Sequence, residues 1–388
     1  MTILFMEWNS IGNMDIKQTF ENMGHSVLSC PFHIKTGRSD TEWEETFAKT
    51  LQAIHPDFVF SFNYFPIIST VCNREQVPYY SWVYDSPLHA LYSNTVYNAC
   101  NRIFLFDSAL VEKLRSMKIK TVYYLPLAIN VSRLASMQEK AGSYAKYKSD
   151  LSFVGSLYSE EKHQLFKQLQ TLPEYTRGYL DALVETQKNI YGSEIIREAL
   201  NPSILEQMQE AYPVSPHSDG FESAADIYTD YFLLREVTVR ERKENLTALG
   251  AALGQQYQLN LFTHHTEPSF PGITMNSEVD YYDQMPYVFM NSKINLNISL
   301  RSIISGIPLR ALDILGCGGF LLTNYQSDFL QFFEPNVDFV YYESKKDLLE
   351  KADYYLKHDD ERKEIARKGH QKACENFNYQ DMVAKMFV

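Results

Sequence analysis

Residues 294–323 read INLNISLRSIISGIPLRALDILGCGGFLLT and contain the elements of an α/β fold in order. The stretch begins with an apolar strand that ends near Ser299 and continues through a polar loop. A helix starts at Pro308, a residue that is common at the first helical position. Phe320–Thr323 forms the next apolar strand. A strand, a helix and a further strand in this order predict a parallel sheet that is covered on both faces.

Similar strand signals occur along most of the chain and divide it into two parts. Further strands are predicted at Thr2–Met6, His25–Ser29, Asp57–Phe62, Tyr79–Val83, Arg102–Phe106, Thr121–Leu125, Asp150–Ser156, Gln258–Phe262, Ile294–Ile298 and Phe339–Tyr342. The polar segment Pro126–Asp150 is interpreted as a linker, and residues 158–235 as a helical insertion. The sequence therefore predicts two Rossmann-like domains facing a cleft, over residues 1–145 and 146–388. The insertion and the closing C-terminal helices belong to the second of these domains.

Composition excludes several classes of protein. The 388 residues are 45% hydrophobic and 22% charged, which is typical of a globular protein and not of a disordered one. The net charge of −12 argues against nucleic acid as a partner. Hydrophobic runs are too short for an integral membrane segment, and the apolar N-terminus is read as a buried strand instead of a signal peptide. Five cysteines without a CxxC motif argue against a disulfide framework and favour a cytoplasmic location.

Ligands of such folds bind beyond the carboxyl ends of the strands, and this rule selects candidate residues in the N-terminal half. Ser10 and Gly12 follow the first strand and could face a substrate that acts as the acceptor of a transferred group. Asp85 follows Tyr79–Val83 and could accept a proton from an acceptor hydroxyl, or it could cap the next turn. His89, four residues further on, could share that site or lie at the surface.

The C-terminal half offers a second group of candidates. Gly155 and Ser156 follow a strand, where a glycine allows the backbone to approach a phosphate, although an ordinary strand exit explains the glycine equally well. Arg301 and Gly306 lie in the loop before the helix of residues 294–323. Further candidates on this helix are Arg310 and Asp313, which are three residues apart and so share a face. A helix N-terminus with an arginine attracts phosphate, and a carboxylate can accept both hydroxyls of a ribose. The alternative is a surface ion pair.

Gly306–Asp313 and the following GCGGFLLT resemble the nucleotide-sugar motif of retaining GT-B glycosyltransferases of the group 1 and family four type. Within these enzymes the similarity is greatest to the CgeB-like (spore maturation protein) branch. The segments YSWVYDSP (80–87), FLFD (104–107), YLPLAIN (124–130), FVGS (153–156) and the tail 354–377 resemble other parts of that branch. The resemblance implies a GT-B fold in which the C-terminal domain binds the nucleotide sugar and the N-terminal domain binds the acceptor.

The resemblance also assigns roles to single residues. It places Asp313 where the related enzymes have a ribose-binding glutamate, and Ser305 where they have a second glutamate. It does not place the usual Arg/Lys pair that holds the diphosphate; Arg301 and Arg310 are the candidates for that role, and Asp85 and Arg310 are the candidate catalytic residues. The implied reaction transfers a sugar, as a hexosyltransferase, from a UDP-sugar to an unknown glycan, protein or small-molecule acceptor, with retention. No metal site is predicted, since the chain has no DxD pair, and no cofactor besides the donor is expected.

Two other readings of the sequence stay open. A nucleotide-sugar epimerase of GT-B fold would share the C-terminal motif but would act without an acceptor. A non-catalytic coat or interaction protein could retain the fold, and the serine at position 305 is compatible with that reading. Product analysis without an acceptor separates the first alternative from a transferase, and nucleotide binding separates the second.

Overall fold

The chain forms two compact units in the computed structural model, which describes residues 1–33, 38–264 and 269–387. Unit 1 contains Met1–Ala128, the short segment Pro216–Ser223 and the C-terminal residues from Asn378. Unit 2 contains Ile129–Ser215 and Ala224–Phe377. The polypeptide thus passes between the units four times, whereas the sequence predicts a single division at residue 145.

Each unit is built on six parallel strands. The strands of unit 1 are β1 (Thr2–Glu7), β2 (Ser26–Pro31), β3 (Phe58–Phe62), β4 (Tyr79–Val83), β5 (Asn101–Leu105) and β6 (Val122–Tyr124). Those of unit 2 are β7 (Ser149–Val154), β8 (Leu259–Thr263), β9 (Thr274–Ser277), β10 (Ser292–Asn297), β11 (Leu321–Asn324) and β12 (Val340–Tyr342). Central strands such as β3 and β8 are buried on both faces, which explains their continuous apolar sequences.

Helices cover these sheets and form the insertion. They are α1 (Asn13–Asn22), α2 (Thr41–Ile54), α3 (Pro66–Arg74), α4 (Ser108–Ser116), α5 (Val131–Gln138), α6 (Glu174–Lys188), α7 (Ile196–Ala199), α8 (Pro202–Ala211), α9 (Ala224–Ile227), α10 (Leu234–Leu253), α11 (Met285–Met290), α12 (Leu309–Gly316), α13 (Lys345–Lys357), α14 (Asp359–Asn376) and α15 (Tyr379–Lys385). A π-helical turn, Tyr228–Leu233, leads directly into α10.

The order of the strands defines the fold of each unit. The sheet of unit 1 has the order β2-β1-β3-β4-β5-β6, and that of unit 2 has the order β12-β11-β10-β7-β8-β9. In unit 2 the first and fourth strands of the unit, β7 and β10, are therefore neighbours, as in Rossmann dinucleotide-binding folds. The predicted fold class, two Rossmann-like domains, is confirmed.

Several details differ from the sequence prediction. The predicted linker contains helix α5, whose first turn is capped by the side chain of Asn130. Strand β9 is missed because it is polar and partly exposed, as expected for a strand at the edge of the sheet. Residues 158–235 are helical where they have regular structure, but their segment Pro216–Ser223 belongs to unit 1 and not to the C-terminal domain.

Buried apolar side chains of the described residues pack into several cores. One core lies in unit 1, a second packs on the sheet of unit 2, and a third joins α6 and α8 to the start of α10 within unit 2. The insertion thus has an apolar interior of its own. In the ranges that the structure describes, no helix is long and apolar enough to cross a membrane.

Candidate functional site

Both sheets have a topological switch point, where the strand order reverses and where ligands of α/β proteins bind. In unit 1 this point lies between β1 and β3, and in unit 2 it lies between β7 and β10. Most of the candidate residues from the sequence follow these strands or their neighbours. We therefore describe the carboxyl end of each sheet separately.

The loop after β7 contains the predicted residues Gly155 and Ser156. The Ser156 hydroxyl accepts a hydrogen bond from the backbone N–H of Tyr158 (2.8 Å), which turns the chain. Arg242 of α10 donates one hydrogen bond to the Ser156 carbonyl and another, through Nη2, to the carbonyl of Ile298 (2.6 Å). Ile298 directly follows β10, so this single side chain ties together the two strand ends of the switch point. The sequence analysis did not identify Arg242.

The ring of Tyr158 contacts two arginines of α10. Its backbone is in the left-handed region, with φ of 52°. The guanidinium carbon of Arg235 is 4.2 Å from the centre of its ring, and that of Arg242 is 4.9 Å from it. Both separations are within the range of cation–π interaction. The carboxyl end of β7 therefore carries positive charge.

Arg301 lies at the same edge of the sheet but is fully engaged with protein groups. Its Nη2 donates to three backbone carbonyls, those of Gln187 (2.7 Å), Lys188 (3.3 Å) and Ile190 (2.6 Å). The guanidinium also stacks on Tyr191 (4.1 Å) and faces the buried carboxylate of Glu241 at 3.6 Å. Burial raises the pKa of Glu241, while the positive charge of Arg301 opposes this effect. Arg301 thus forms a buried link between the strand end and the insertion, and its contact with phosphate stays a prediction.

Helix α12 carries the other predicted residues, after a loop in which Gly306 is buried. Asp313 is 5% exposed, and its Oδ1 accepts a hydrogen bond from the Tyr281 hydroxyl (2.9 Å). Arg310 lies 5.7 Å from the ring of Phe289 and donates to the sulfur of Met285. The burial of Asp313 contradicts the alternative of a surface ion pair.

An additional arginine, missed by the sequence analysis, stands close to Asp313. Arg133 of α5 lies 5.0 Å from the ring of Tyr282 and 5.8 Å from that of Tyr281, the residue that binds Asp313. Burial raises the pKa of the Cys317 thiol, on which Asp313, Arg133 and Arg310 all act electrostatically. The carboxylate of α12 thus belongs to a cluster of two arginines and two tyrosines.

In unit 1, the loop after β1 brings Gly12 against the C-terminal helix. Gly12 has φ of 95°, and a Cβ at this position would lie 2.8 Å from the hydroxyl of Tyr379. That hydroxyl also bonds the hydroxyl of Tyr84 (2.8 Å), which follows β4. Ser10 bonds the carbonyl of its neighbour Ile11 (3.1 Å). The close approach of Tyr379 explains the glycine without a ligand, and Ser10 and Gly12 stay predictions as acceptor contacts.

Asp85 is held by an asparagine at the end of β3. Asn63 has φ of 57°, and its Nδ2 donates to Asp85 Oδ2 (2.7 Å). Its Oδ1 accepts from the backbone N–H groups of Tyr84 (2.9 Å) and Asp85 (3.1 Å). The Asp85 side chain is accessible at the surface, yet desolvation by the surrounding protein raises its pKa, while the bond from Asn63 lowers it. Asn63 was not identified from the sequence.

His89, predicted on the acceptor side, contacts the segment Pro216–Ser223. Its ring is buried, and Nδ1 lies 2.7 Å from Oε1 of Glu222. The other oxygen of Glu222 accepts from the backbone N–H (2.8 Å) and lies 2.9 Å from the ring Nδ1 of His217. Burial of Glu222 opposes its ionisation, but these bonds lower its pKa overall. His89 therefore secures the segment Pro216–Ser223 within unit 1.

Other candidate chemistries find little support in the described ranges. All five cysteines are free thiols there, and no group of three metal-binding side chains occurs within them. The sequence also contains two adjacent histidines, His264 and His265. His264 faces Glu278 at 2.9 Å, and His265 lies outside the described residues.

A protein-family model and several solved structures are similar to this chain. Residues 232–387 match the sequence model of a family described as glycosyl transferase-like. No curated protein sequence matches the chain. The family match begins just before α10 and includes α12, so it covers Arg235, Arg242, Arg310 and Asp313.

Solved structures are similar over the whole chain. A glycosyltransferase from Rickettsia africae has a TM-score of 0.53 at 11% identity, with coverage of 100% of this chain and 96% of that one. Sucrose-phosphate synthase from Thermosynechococcus elongatus has a TM-score of 0.57 at 9% identity, with coverage of 100% of this chain and 97% of that one. Anabaena HepE in complex with UDP-glucose has a TM-score of 0.58 at 9% identity, with coverage of 100% of this chain and 98% of that one. At these identities the similarity establishes the fold, and the chain has the GT-B fold.

Proposed function

We propose that the protein is a glycosyltransferase that moves a sugar from a nucleoside diphosphate donor to an acceptor. The observation that carries the proposal is helix α12. It follows β10 at the switch point of a Rossmann-like sheet, and it holds a buried carboxylate, Asp313, one turn after Arg310. This helix lies inside the region that matches the glycosyl transferase-like family.

Each unit has a separate role in this proposal. Unit 2 binds the donor: Asp313 accepts the ribose hydroxyls, and Arg310 neutralises the diphosphate as negative charge develops on the leaving group. Unit 1 binds the acceptor: Asp85 orients the acceptor hydroxyl or accepts its proton. The accessibility of Asp85 and its raised pKa are compatible with a role in proton transfer.

The finer points of the proposal are the CgeB-like subtype, a UDP-sugar donor, transfer of a hexosyl group and retention of configuration. We propose that the reaction uses no cofactor besides the donor and takes place in the cytoplasm. HepE was solved with UDP-glucose, which makes UDP-glucose the first donor to test. The class of acceptor, whether glycan, protein or small molecule, is left open.

The direct test combines a donor screen with one substitution. Purified protein is incubated with UDP-, GDP- and ADP-sugars without acceptor, and hydrolysis is followed together with calorimetric binding of the free nucleoside diphosphates. Asp313→Asn keeps the size of the side chain but removes its charge, and should weaken nucleoside diphosphate binding about ten-fold, since a charge-assisted hydrogen bond contributes about 1.5–3 kcal/mol. Asp338→Asn is the matched control, a carboxylate of unit 2 that is 1% exposed and bonded to Lys372.

The outcomes separate the proposal from its alternatives. Slow release of free sugar supports a transferase, whereas conversion of the donor into an epimeric nucleotide sugar identifies an epimerase. A wild-type protein that binds none of the nucleoside diphosphates is a non-catalytic member of the fold. Equal affinities of wild type, Asp313→Asn and Asp338→Asn would remove Asp313 from the site.

A further inference from the structure

Two adjacent cavities lie between the insertion and helix α10, within unit 2. Their volumes are about 320 Å³ and about 240 Å³. The first lies beside the loop that follows β7, and the second lies against α6 of the insertion. Lys167, Glu236 and Arg240 line both cavities, so the two share one wall. Together they have the size of a binding site for a small organic molecule.

One face of α10 forms the wall of the first cavity. Glu236, Val239, Arg240 and Lys243 line it, and their spacing of three or four residues places them on the same side of the helix. Glu236 and Arg240 pair with each other (2.8 Å), so each balances the charge of the other. The half-buried Val239 adds apolar surface, and Lys243 is exposed. This face therefore presents apolar surface and a cation next to each other.

Buried apolar side chains form other parts of the walls. Leu157 and Phe270 line the first cavity and are 6% and 4% exposed, and Leu169, Leu172 and Leu180 line the second and are buried as well. Apolar walls give water few hydrogen-bond partners. An apolar group that enters these cavities therefore gains free energy, because its own surface and that of the walls are removed from water.

The lining also has a surplus of positive charge. Lys167, Arg177 and Lys243 are exposed, and none of them forms a salt bridge with a carboxylate of the described ranges. The two carboxylates of the lining both pair with Arg240. Four cations thus face two carboxylates, in a chain whose net charge is −12. Local positive charge on an acidic protein attracts an anion to this place.

We infer that the two cavities form a binding site for an amphipathic organic anion, a small molecule with an apolar body and one acidic group. The apolar body packs against the buried leucines, and the acidic group meets Lys167, the cation that both cavities share. The site does not depend on the proposed function. The family match begins at residue 232 and so contains α10 but not the insertion, which supplies the opposite wall.

The test uses 8-anilinonaphthalene-1-sulfonate as the probe, because it joins an aromatic body to one sulfonate. Its fluorescence rises when it leaves water, and titration of the purified full-length protein should saturate at one probe per chain. N-phenyl-1-naphthylamine, which has the same rings without the sulfonate, is the neutral probe. Added salt should weaken binding of the sulfonate and leave the neutral probe unaffected.

Three variants separate the contribution of charge from that of shape. Lys167→Glu should weaken binding of the sulfonate about ten-fold and leave the neutral probe unchanged, since it places a like charge beside the anion. Lys162→Glu is the matched control, an exposed lysine of the same segment that lines neither cavity, and it should leave both affinities unchanged. Val239→Trp fills part of the first cavity and should weaken both probes.

Two results would overturn the inference. One is the absence of saturable sulfonate binding to the folded wild type, or equal sulfonate affinities of wild type, Lys167→Glu and Val239→Trp. The other is displacement of the sulfonate by excess UDP, which would assign it to the donor site. Melting curves will show whether each variant keeps its fold. Lys167→Glu changes an exposed side chain, so it decides the question even if Val239→Trp does not fold.

Discussion

The switch points of the two units have the same backbone plan but opposite electrostatic character. In unit 1 the polar group is a carboxylate, Asp85, which is accessible and held by the amide of Asn63. In unit 2 the polar groups are guanidiniums, and Arg242 is buried between two strand ends. A carboxylate with a raised pKa suits proton transfer, whereas paired arginines suit a phosphate-bearing ligand. Under the proposed function, one fold that is repeated in one chain divides acceptor chemistry and donor binding between its two copies.

The comparison predicts that Asp85→Asn affects turnover and not donor binding. Loss of a general base typically lowers the rate 10²–10⁴-fold, and we expect kcat of sugar transfer to fall within about that range. Affinity for UDP should stay unchanged, because Asp85 belongs to the other unit. Steady-state kinetics with calorimetry will check this division. A variant with wild-type kcat, or with weakened UDP binding, would break it.

The pH dependence of the reaction sharpens the same point. The pKa of Asp85 lies above its ordinary value of 3.8, so the ionised, proton-accepting form appears as the pH rises through the raised value. Asn63→Ala removes the bond that lowers this pKa, and it should move the acidic limb of the kcat/KM profile to higher pH. If the acidic limb of the kcat/KM profile does not shift, Asn63 has no influence on catalysis and its role is purely structural.

In unit 2 the largest effect on stability is expected from Arg301→Leu. The substitution leaves three carbonyls without their donor and Glu241 buried without its cation, which typically costs about 3–5 kcal/mol in free energy of unfolding. The double variant with Glu241→Gln should recover part of this loss, since it removes the stranded charge. Urea denaturation provides the measurement. A loss below about 1 kcal/mol would show that Arg301 is available for a ligand after all.

A smaller effect is expected from Glu222, a carboxylate of unit 1 whose pKa shifts in the opposite direction from that of Asp85. Its folded-state pKa lies below 4.5, so its ionised form adds stability above that value and loses it as the pH falls through the folded-state pKa. Glu222→Gln should cost about 1–2 kcal/mol at pH 7 and should reduce the acid sensitivity of unfolding. Equal pH dependence in both proteins would mean that His89 and His217 do not stabilise the anion.

The sequence predicted most strands because buried parallel strands are continuous apolar runs. It missed strand β9, which lies at the edge, and helix α5, which lies in a polar segment. At the candidate site, the sequence alone identified Arg310 and Asp313, because both lie within one local motif.

The remaining site residues depend on contacts between distant parts of the chain. Arg242 meets Ser156 across 86 positions, and His89 meets Glu222 across 133. Arg301 looked like a phosphate ligand because its position follows a strand, and only the fold reveals the carbonyls around it.

The composition of unit 1 from three separate segments has a consequence for synthesis on the ribosome. Residues 1–128 emerge first, but the Glu222 carboxylate that meets His89, and Asp219, which binds Arg38 (2.6 Å), follow only after most of the insertion has been made. Tyr379, whose hydroxyl lies against Gly12, follows all of unit 2 in the sequence. The N-terminal unit is therefore completed last, although domains usually fold in the order of their synthesis.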